Sequence, residues 1–404
     1  MAFKIPEDLI IRKQYESRIE PFIGKPVVKV FTGQRRVGKS YILYQIMSKI
    51  SKENPGANII YINKEDSRFD SIHDYNDLVR YVDNELANEQ TNYIFIDEIQ
   101  EIDDFEKAVR SLLLDNKNDL YITGNNARLL SGEFATLLGG RTVEFKVYSL
   151  SYKEFLVFHK LTDSDESFEK YSMYGGMPFL KNLTLSYEIV FEYLQNIYNT
   201  IVLRDVVSRH SLRNIHFLEQ LIRFLADNTG SLFSAKSISD FLKSQKVNIP
   251  HNQVQSYVGY LADAFLIHRV RRYDIVGRRL FASGEKYYFE NQGICNTLTG
   301  YRPGDRAKIM ENLVFNELLY RGYEICTGWK GNKEIDFIAS KGNEIKYVQV
   351  TLNLGSGTTV NREFGNLLEI DDNYPKVVIS ADAQYINTFK GVEHINIRKF
   401  LTGG

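Results

Sequence analysis

A glycine-rich segment near the amino terminus has the residue types and spacing that bind phosphate. The sequence GQRRVGKS at 33–40 fits the pattern GxxxxGK[ST] in full, between the apolar run VVKVFT and the helix-like run SYILYQIM. Glycines let backbone N–H groups curl around phosphate oxygens, and the amino end of a helix adds its positive dipole. The alternative is a glycine-rich turn with a solvated lysine. We favour a phosphate-binding loop, which comprises Gly33, Gln34, Arg35, Arg36, Val37, Gly38, Lys39, Ser40 and Tyr41.

Acidic residues after a second apolar run would complete such a site. In loops of this kind the lysine, here Lys39, reaches the β- and γ-phosphates, and the hydroxyl, here Ser40, ligates Mg²⁺. The run NYIFIDEIQ places Asp97 and Glu98 at the end of a predicted strand. Asp97 would help to hold Mg²⁺, and Glu98 would orient and deprotonate the attacking water. Alternatively, both carboxylates only cap the next helix, whose dipole favours negative charge there.

A third apolar run, DLYITG, is followed by two asparagines, Asn125 and Asn126. A polar side chain at this position could contact the γ-phosphate or the attacking water. Asparagine also suits turns, so its presence alone does not decide the role. We favour Asn125 as the residue that senses the γ-phosphate, with Asn126 as the alternative.

The elements that must position these residues alternate along the chain. From 26 to 148, strand-like runs (PVVKVFT, NIIYIN, NYIFID, DLYITG and TVEFKV) alternate with helix-like runs (SYILYQIMSKIS, HDYNDLVRYVDNELA, FEKAVRSLLLD and ARLLSGEFATLL). Such alternation indicates βαβ units and a parallel sheet, and therefore an α/β fold. Residues 149–210 are predicted to be helical, with breaks at Gly175, Gly176 and Pro178.

Two further patterns follow in the second half of the chain. Residues 211–290 predict helices, one capped by Ser234 and one beginning at Pro250, and then a β-hairpin. The hairpin strands are IHRVRRYDI and KYYFE, joined by the region 277–284. From about 301 the predicted elements are the helix ENLVFNELLY, the strands YEICTGW, KEIDFIAS and IKYVQVTL, a helix near 360–370, and the strand YPKVVIS.

Composition limits the classes of protein that remain. The chain has 404 residues, too many for one ordinary domain, and Lys+Arg 50 against Asp+Glu 51 leave a net charge of -1. Attraction to nucleic acid would therefore need a local basic patch. Cys295 and Cys326 form no CxxC pair and the histidines show no metal-ligand spacing, which argues against zinc. No apolar run has transmembrane length. We expect a cytoplasmic protein with no membrane partner.

The motifs resemble a known class of ATPases. GQRRVGKS, YIFIDE and TGNN are similar to the Walker A, Walker B and sensor motifs of AAA+ P-loop ATPases. ITGNNARLLSGEFATLLGGRTVEFKVYSLSYKEFL, YGGMPFL and TIVLRDVV resemble a prokaryotic subgroup with a C-terminal nuclease-like domain of unknown function. The resemblance implies ATP as the nucleotide. It also implies a RecA-like P-loop NTPase core (1–148), a helical lid (149–210), a winged-helix module (211–300) and an α/β nuclease-like domain of the PD-(D/E)xK type (301–404).

The same resemblance implies roles for two arginines. Arg141, in LLGGR, lies where AAA+ proteins place an arginine finger that acts on the nucleotide of a neighbouring subunit, so a homo-oligomer is expected. A surface ion pair is the alternative for Arg141. Arg204 could be a lid sensor or a structural partner of Asp205, and we favour the structural role.

The winged-helix-like segment suggests DNA as a further partner. Its second helix, around NQVQSYVGYL, would be the reading helix, and the hairpin would be the wing. That helix contains no lysine or arginine, which weakens the DNA hypothesis. Phosphate contacts would instead come from arginines of the wing, namely Arg269, Arg271, Arg272, Arg278 and Arg279.

The tail resembles a nuclease whose metal site is incomplete. Nucleases of this type hold Mg²⁺ between an Asp on one strand and an Asp/Glu-x-Lys on the next, with a helical Glu in some cases. Glu311 and Asp336 match the first positions, and Tyr347, Gln349 and Thr351 alternate along the next strand. Gln349 is a poor Mg²⁺ ligand compared with a carboxylate, and a threonine supplies no cation. We therefore predict a nuclease-like fold that has lost cleavage.

The sequence thus predicts an AAA+-type ATPase that binds and hydrolyses ATP with Mg²⁺ and drives conformational change in the attached winged-helix and nuclease-like domains. The catalytic candidates are Lys39, Glu98, Asn125 and Arg141, and the metal candidates are Ser40 and Asp97. One alternative is a nucleotide-gated DNA-binding or protein-interaction switch with little turnover. An ATP-regulated nuclease is less favoured.

Overall fold

The computed structural model describes residues 5–87, 90–127, 138–247, 249–355, 357–382 and 388–403. The chain divides into two compact units. The first unit runs up to Tyr148 and includes Asp263–Phe265, and the second comprises Ser149–Ala262 and the chain from Leu266 onward. The predicted end of the ATPase core, residue 148, falls at this division, and the assignment of the domain stays a prediction. The helix predicted for ARLLSGEFATLL covers 127–138, of which 128–137 lie outside the described residues.

A five-stranded parallel sheet in the order β2-β3-β4-β1-β5 forms the centre of the first unit. Its strands are β1 (Val28–Thr32), β2 (Asn58–Asn63), β3 (Asn92–Asp97), β4 (Asn118–Gly124) and β5 (Thr142–Lys146). The helices are α1 (Lys13–Ile19), α2 (Lys39–Glu53), α3 (Tyr75–Glu85) and α4 (Phe105–Leu112). The predicted α/β fold with a parallel sheet is confirmed.

The core of this unit explains the continuous apolar runs. Every residue of β1 and of β4 is buried, as expected for central strands covered on both faces. Strand residues such as Ile94 and Ile122 pack with Leu78 of α3 and Val109 of α4. The register aligns the carboxyl ends of the strands, so the segments that follow β1, β3 and β4 emerge at one edge of the sheet.

The second unit begins with helices and ends with strands and helices. Its helices are α5 (Tyr152–His159), α6 (Asp165–Tyr174), α7 (Tyr187–Thr200), α8 (Ile215–Asp227), α9 (Ala235–Ser244), α10 (His251–Asp263), α11 (Gln292–Thr299), α12 (Arg306–Tyr320), α13 (Gly357–Leu368) and α14 (Ile397–Thr402). A π-helical segment, Ile201–Ser208, follows α7. The predicted break at Gly175 is present, because α6 ends at Tyr174 and Gly175 has a φ of 70°. The predicted Ser234 cap is also present, since its hydroxyl accepts a hydrogen bond from Ser237 N at 3.0 Å.

A nine-stranded sheet spans the predicted boundary at residue 300. In spatial order it contains β13 (Thr388–Phe389), β14 (Val392–Asn396), β12 (Lys376–Ser380), β11 (Glu344–Thr351), β10 (Lys333–Lys341), β9 (Glu324–Lys330), β7 (Ile267–Asp274), β8 (Arg279–Phe289) and β6 (Leu232–Phe233). The hairpin β7–β8 joins the tail because β7 pairs with β9 in parallel. The domain boundaries at 210 and 300 stay predictions.

One local prediction in the second unit needs correction. The region 277–284 is mostly strand rather than a connection, because β8 already begins at Arg279 and continues through Gly284, whose φ is 83°. In β11 both faces are covered. Val348 packs in the apolar cluster of α12, and Tyr347 packs in a second cluster with Phe364 of α13.

Within the described ranges, none of the helices combines the length and the apolarity that crossing a membrane requires.

Candidate nucleotide site

The loop between β1 and α2 has a backbone that requires glycine at two positions. Gly33 has a φ of 152°, and a Cβ atom there would lie 2.1 Å from the carbonyl oxygen of Val147. Gly38 has a φ of 95° and is the residue from which helix α2 begins. A side chain at Gly33 would force the loop away from the strand end, so the glycine spacing seen in the sequence has a steric cause.

Lys39 is folded into this loop. Its side chain is buried, and its ammonium group donates hydrogen bonds to the carbonyl oxygens of Gly33 at 3.0 Å and Gln34 at 3.1 Å. The loop therefore encloses a cation beside the amino end of a helix. Both features attract a phosphate group.

The other loop residues play different parts. Gln34 is buried and donates to the carbonyl oxygen of Phe265 at 2.9 Å. Arg35 is buried and lies 3.4 Å from a carboxylate oxygen of Glu65, whereas Arg36 is exposed and has a φ of 70°. Val37 is fully buried. Tyr41 lies on α2 and is 45% exposed.

Asp97 lies at the carboxyl end of β3 and is almost fully buried. Its carboxylate accepts hydrogen bonds from the hydroxyl groups of Ser40, Thr123 and Tyr61, the last at 3.3 Å. Burial raises the pKa of Asp97, and the hydrogen bonds from Ser40 and Thr123 oppose this shift. Hydroxyl and carboxylate oxygens are the ligands that Mg²⁺ prefers, so the Ser40–Asp97 pair fits this ion.

Glu98 follows Asp97 in a left-handed backbone conformation, with a φ of 57°. Its N–H donates to the Thr123 hydroxyl at 2.9 Å, and its carboxylate accepts a 2.5 Å hydrogen bond from Gln100. The side chain makes no capping hydrogen bond to the short helix Ile99–Glu101 that follows. Helix capping therefore does not account for this glutamate.

Asn125 and Asn126 emerge beside the loop. Gly124, the last residue of β4, is aligned with Thr32, the last residue of β1, so the asparagines and the loop leave the sheet at neighbouring positions. Asn125 is 1% exposed and Asn126 is 9% exposed. Asn125 is the more deeply placed of the two.

Of the two arginines implied by resemblance, Arg141 lies away from this edge. Thr142 is aligned with Val28 at the amino ends of β5 and β1, so Arg141 precedes the strand at the opposite edge of the sheet from the loop. About 16 Å of strand separates the two edges. Arg141 is exposed. Arg204 is also exposed, in the π-helical segment of the second unit.

The tail residues form a separate group in the second unit. Asp336 is buried, and one of its carboxylate oxygens accepts a hydrogen bond from Val350 N at 2.8 Å. Gln349 accepts a 3.4 Å hydrogen bond from Asp336 N, and the Thr351 hydroxyl donates to the carbonyl oxygen of Asn353 at 3.4 Å. Both side chains are thus engaged with backbone groups.

Sequence reasoning missed two residues of the nucleotide site, Thr123 and Tyr61. Thr123 contacts both Asp97 and Glu98, and Tyr61 contacts Asp97. For Thr123, the signal was a threonine hydroxyl near the end of the run DLYITG. The sequence gives no comparable signal for Tyr61, because the alternation of residues along β2 does not show that its hydroxyl contacts Asp97.

Comparison with protein families matches two segments. Residues 25–156 match the model of an AAA domain, which includes the loop, Asp97, Glu98 and both asparagines. Residues 165–305 match a domain of unknown function, DUF8612. The first match supports a P-loop ATPase domain. The second gives no function and provides no support for a nuclease-like tail.

Two curated relatives cover most of the chain. An uncharacterized protein of Haemophilus influenzae is 36% identical over 401 residues, which are 97% of this chain and 98% of the relative. The uncharacterized protein MJ1544 of Methanocaldococcus jannaschii is 33% identical and covers 83% of this chain and 77% of its own length. Among solved structures, the ORC1 protein of Aeropyrum pernix in complex with DNA is 13% identical, covers 73% of this chain and 94% of that protein, and has a TM-score of 0.33. A TM-score this low supports no conclusion about this chain.

Proposed function

Since the chain belongs to the same protein family as its Haemophilus and Methanocaldococcus relatives and carries an AAA domain, we propose that it is an ATPase that binds and hydrolyses ATP with Mg²⁺. One observation carries this proposal. Lys39, enclosed by the loop, and the hydrogen-bonded pair Ser40–Asp97 meet at the carboxyl edge of the parallel sheet. This is the arrangement of cation and oxygen ligands that a nucleoside triphosphate requires.

Each residue of the site has a chemical task in this proposal. The N–H groups of residues 33–40 and the ammonium of Lys39 would hold the phosphates. Ser40 and Asp97 would hold Mg²⁺, which supplies positive charge next to the phosphates. Glu98 would orient a water molecule and take its proton. Asn125 would contact the γ-phosphate.

The presence of Glu98 favours ATP hydrolysis over the alternative function, a nucleotide-gated switch with little turnover. A protein that only changes conformation on binding ATP has no need of a base. The Glu98 carboxylate is partly exposed, adjoins Asp97 in sequence and makes no capping hydrogen bond. Hydrolysis would then drive movement of the winged-helix and nuclease-like segments that we propose for the second unit.

We propose further that Arg141 acts on the nucleotide of a neighbouring subunit in a homo-oligomer. Arg141 is exposed and lies at the amino end of β5. Its side chain therefore cannot reach the loop of its own chain, but it could reach the loop of a neighbouring subunit. Turnover of Arg141→Ala should fall at least about tenfold at protein concentrations where the wild type associates. Equal turnover of the two proteins at every concentration would rule this role out.

DNA is a proposed partner of the β7–β8 hairpin. The contacts that the hairpin arginines make within the protein limit which of them could bind DNA. Arg269 donates two 2.9 Å hydrogen bonds to the carboxylate of Glu285. The guanidinium of Arg272 lies 4.4 Å and 4.2 Å from the ring centres of Phe281 and Trp329. The exposed arginines that could meet phosphates are Arg271, Arg278 and Arg279.

The proposal is tested by phosphate release from Mg-ATP, with and without DNA. Lys39→Ala should lower turnover at least about 100-fold, because the buried cation of the loop is lost. Lys52→Ala is the matched control, since Lys52 is an exposed lysine of the same helix, and it should keep wild-type turnover. Equal turnover of Lys39→Ala and wild type would refute hydrolysis at this loop.

A further inference from the structure

A buried lysine lies among three carboxylates in the second unit. Lys286 is 3% exposed, and its ammonium nitrogen lies 2.6 Å from Glu334 Oε1, 2.9 Å from Glu311 Oε1 and 3.9 Å from Asp336 Oδ1. We call Glu311, Glu334 and Asp336 the carboxylate cluster. An ammonium group has three N–H donors and no acceptor, so one lysine can serve several carboxylate oxygens at once.

The contacts of Lys286 connect elements that the sheet does not pair. Lys286 lies on β8, Glu311 lies on α12, and Glu334 and Asp336 lie on β10. Strands β8 and β10 are separated in the sheet by β7 and β9. Tyr288, two residues after Lys286 on β8, donates a 2.6 Å hydrogen bond to Glu311 Oε1. The hairpin and the tail are therefore joined by charge as well as by backbone pairing.

Electrostatics favour a charged lysine at this position. Burial alone would lower the pKa of Lys286, but the nearby carboxylates of Glu311, Asp336 and Glu334 outweigh burial and raise it. Burial and the charge of Glu311 raise the pKa of Asp336. Buried carboxylates need a partner of opposite charge, and the lysine supplies it.

The carboxylates that a nuclease would offer to a metal ion are directed at this lysine. Across the described part of the chain, no group of three or more His, Cys, Asp or Glu side chains is arranged to hold a metal ion. The second oxygen of Asp336 is occupied by Val350 N, and Gln349 is engaged with the backbone of β10. Both oxygens of Asp336 thus face a donor, and the cation that the cluster needs is already present.

We propose that the ammonium group of Lys286 is the built-in cation of the carboxylate cluster and takes the position that a divalent metal ion would need. This part of the second unit is then a structural junction between the hairpin and the tail, and not a metal-dependent hydrolytic centre. The inference is independent of ATP hydrolysis, because it concerns only residues of the second unit.

The test is a Mn²⁺ titration of the nucleotide-free, full-length protein, followed by thermal unfolding. In Lys286→Met the cation is removed and the carboxylates become available, so saturating Mn²⁺ should raise the Tm by at least about 3 °C more than in the wild type. Adding Asp336→Asn to this variant should abolish the extra rise. Lys333→Met, which removes an exposed lysine of β10, is the control and should respond like the wild type.

Three results would overturn the proposal. One is a folded Lys286→Met protein whose Tm responds to Mn²⁺ no more than that of the wild type. Another is a Mn²⁺ response of the wild type itself that Asp336→Asn removes, which needs no Lys286 variant and remains decisive if Lys286→Met does not fold. The third is Mg²⁺-dependent nicking of DNA by the wild type that is lost in Asp336→Asn, because Lys286 would then belong to a working nuclease site.

Discussion

At Gly33, the absence of a Cβ atom allows the phosphate loop to form. A methyl group at this position would stand 2.1 Å from the carbonyl oxygen of Val147, a backbone atom that cannot move aside easily. Gly33→Ala should therefore lower ATP affinity at least about tenfold by displacing the loop. Isothermal titration with ATP measures this directly.

Gly56→Ala provides the comparison for that measurement. Gly56 is in the same unit, and a Cβ atom there would meet only the side chain of Asn54, at 3.7 Å. ATP affinity of Gly56→Ala should equal that of the wild type. If Gly33→Ala binds ATP as tightly as Gly56→Ala does, the loop does not need this glycine.

At the scale of elements, strands β1 and β4 are joined by a buried ion pair. The ammonium of Lys29 hydrogen-bonds to the carboxylate of Asp119, which also accepts hydrogen bonds from the Tyr121 hydroxyl and from Gly24 N, each at 2.7 Å. Burial lowers the pKa of Lys29 and raises that of Asp119, while their mutual attraction opposes both shifts. The pair is essentially excluded from solvent, so losing one partner leaves a buried charge alone.

This pair should show strong coupling in a double-mutant cycle. Lys29→Met and Asp119→Asn should each lower the free energy of unfolding by about 3 kcal/mol, because each leaves a buried group uncompensated. The double variant should be about 2 kcal/mol more stable than the sum of the single effects predicts. Urea unfolding of the four proteins gives the coupling energy, and strictly additive effects would show that the pair does not interact.

The elements of the first unit could be predicted because their signals are local. Each apolar run between turn residues became a strand, and the loop GQRRVGKS fixed where β1 ends and α2 begins. The pairing of β7 with β9 could not be predicted in this way, because it joins segments that are distant in sequence and have no shared pattern. Lys286 was missed for the same reason, since its partners lie on α12 and β10.

At the scale of the whole molecule, one glutamate links stability to pH. Glu317 on α12 is buried, and burial raises its pKa to about 7, against the attraction of Arg321. Its Oε1 accepts a 2.7 Å hydrogen bond from Arg321, but its Oε2 is buried with no hydrogen-bond partner among the described residues. A carboxyl group in this environment holds its proton more firmly in the folded protein than in the unfolded chain.

Because of Glu317, the free energy of unfolding should decrease as the pH rises. The contribution of Glu317 is fully present below the ordinary glutamate pKa of 4.5 and is lost as the pH rises through about 7. Glu317→Gln should remove about 2 kcal/mol of the difference in unfolding free energy between pH 5 and pH 8. Urea unfolding at both pH values measures it, with the exposed Glu324→Gln as the control. An unchanged pH dependence in Glu317→Gln would contradict the shifted pKa.

ATP hydrolysis at the loop is tested most directly by measuring Mg-ATP affinity and steady-state turnover together in the wild type and in Glu98→Gln. Glutamine keeps the shape of the side chain but removes its negative charge and its ability to accept a proton. We predict that affinity changes by less than about threefold while turnover falls at least about 100-fold. If both proteins bind ATP and release phosphate at the same rate, Glu98 is not the base, and a nucleotide-gated switch becomes the better description.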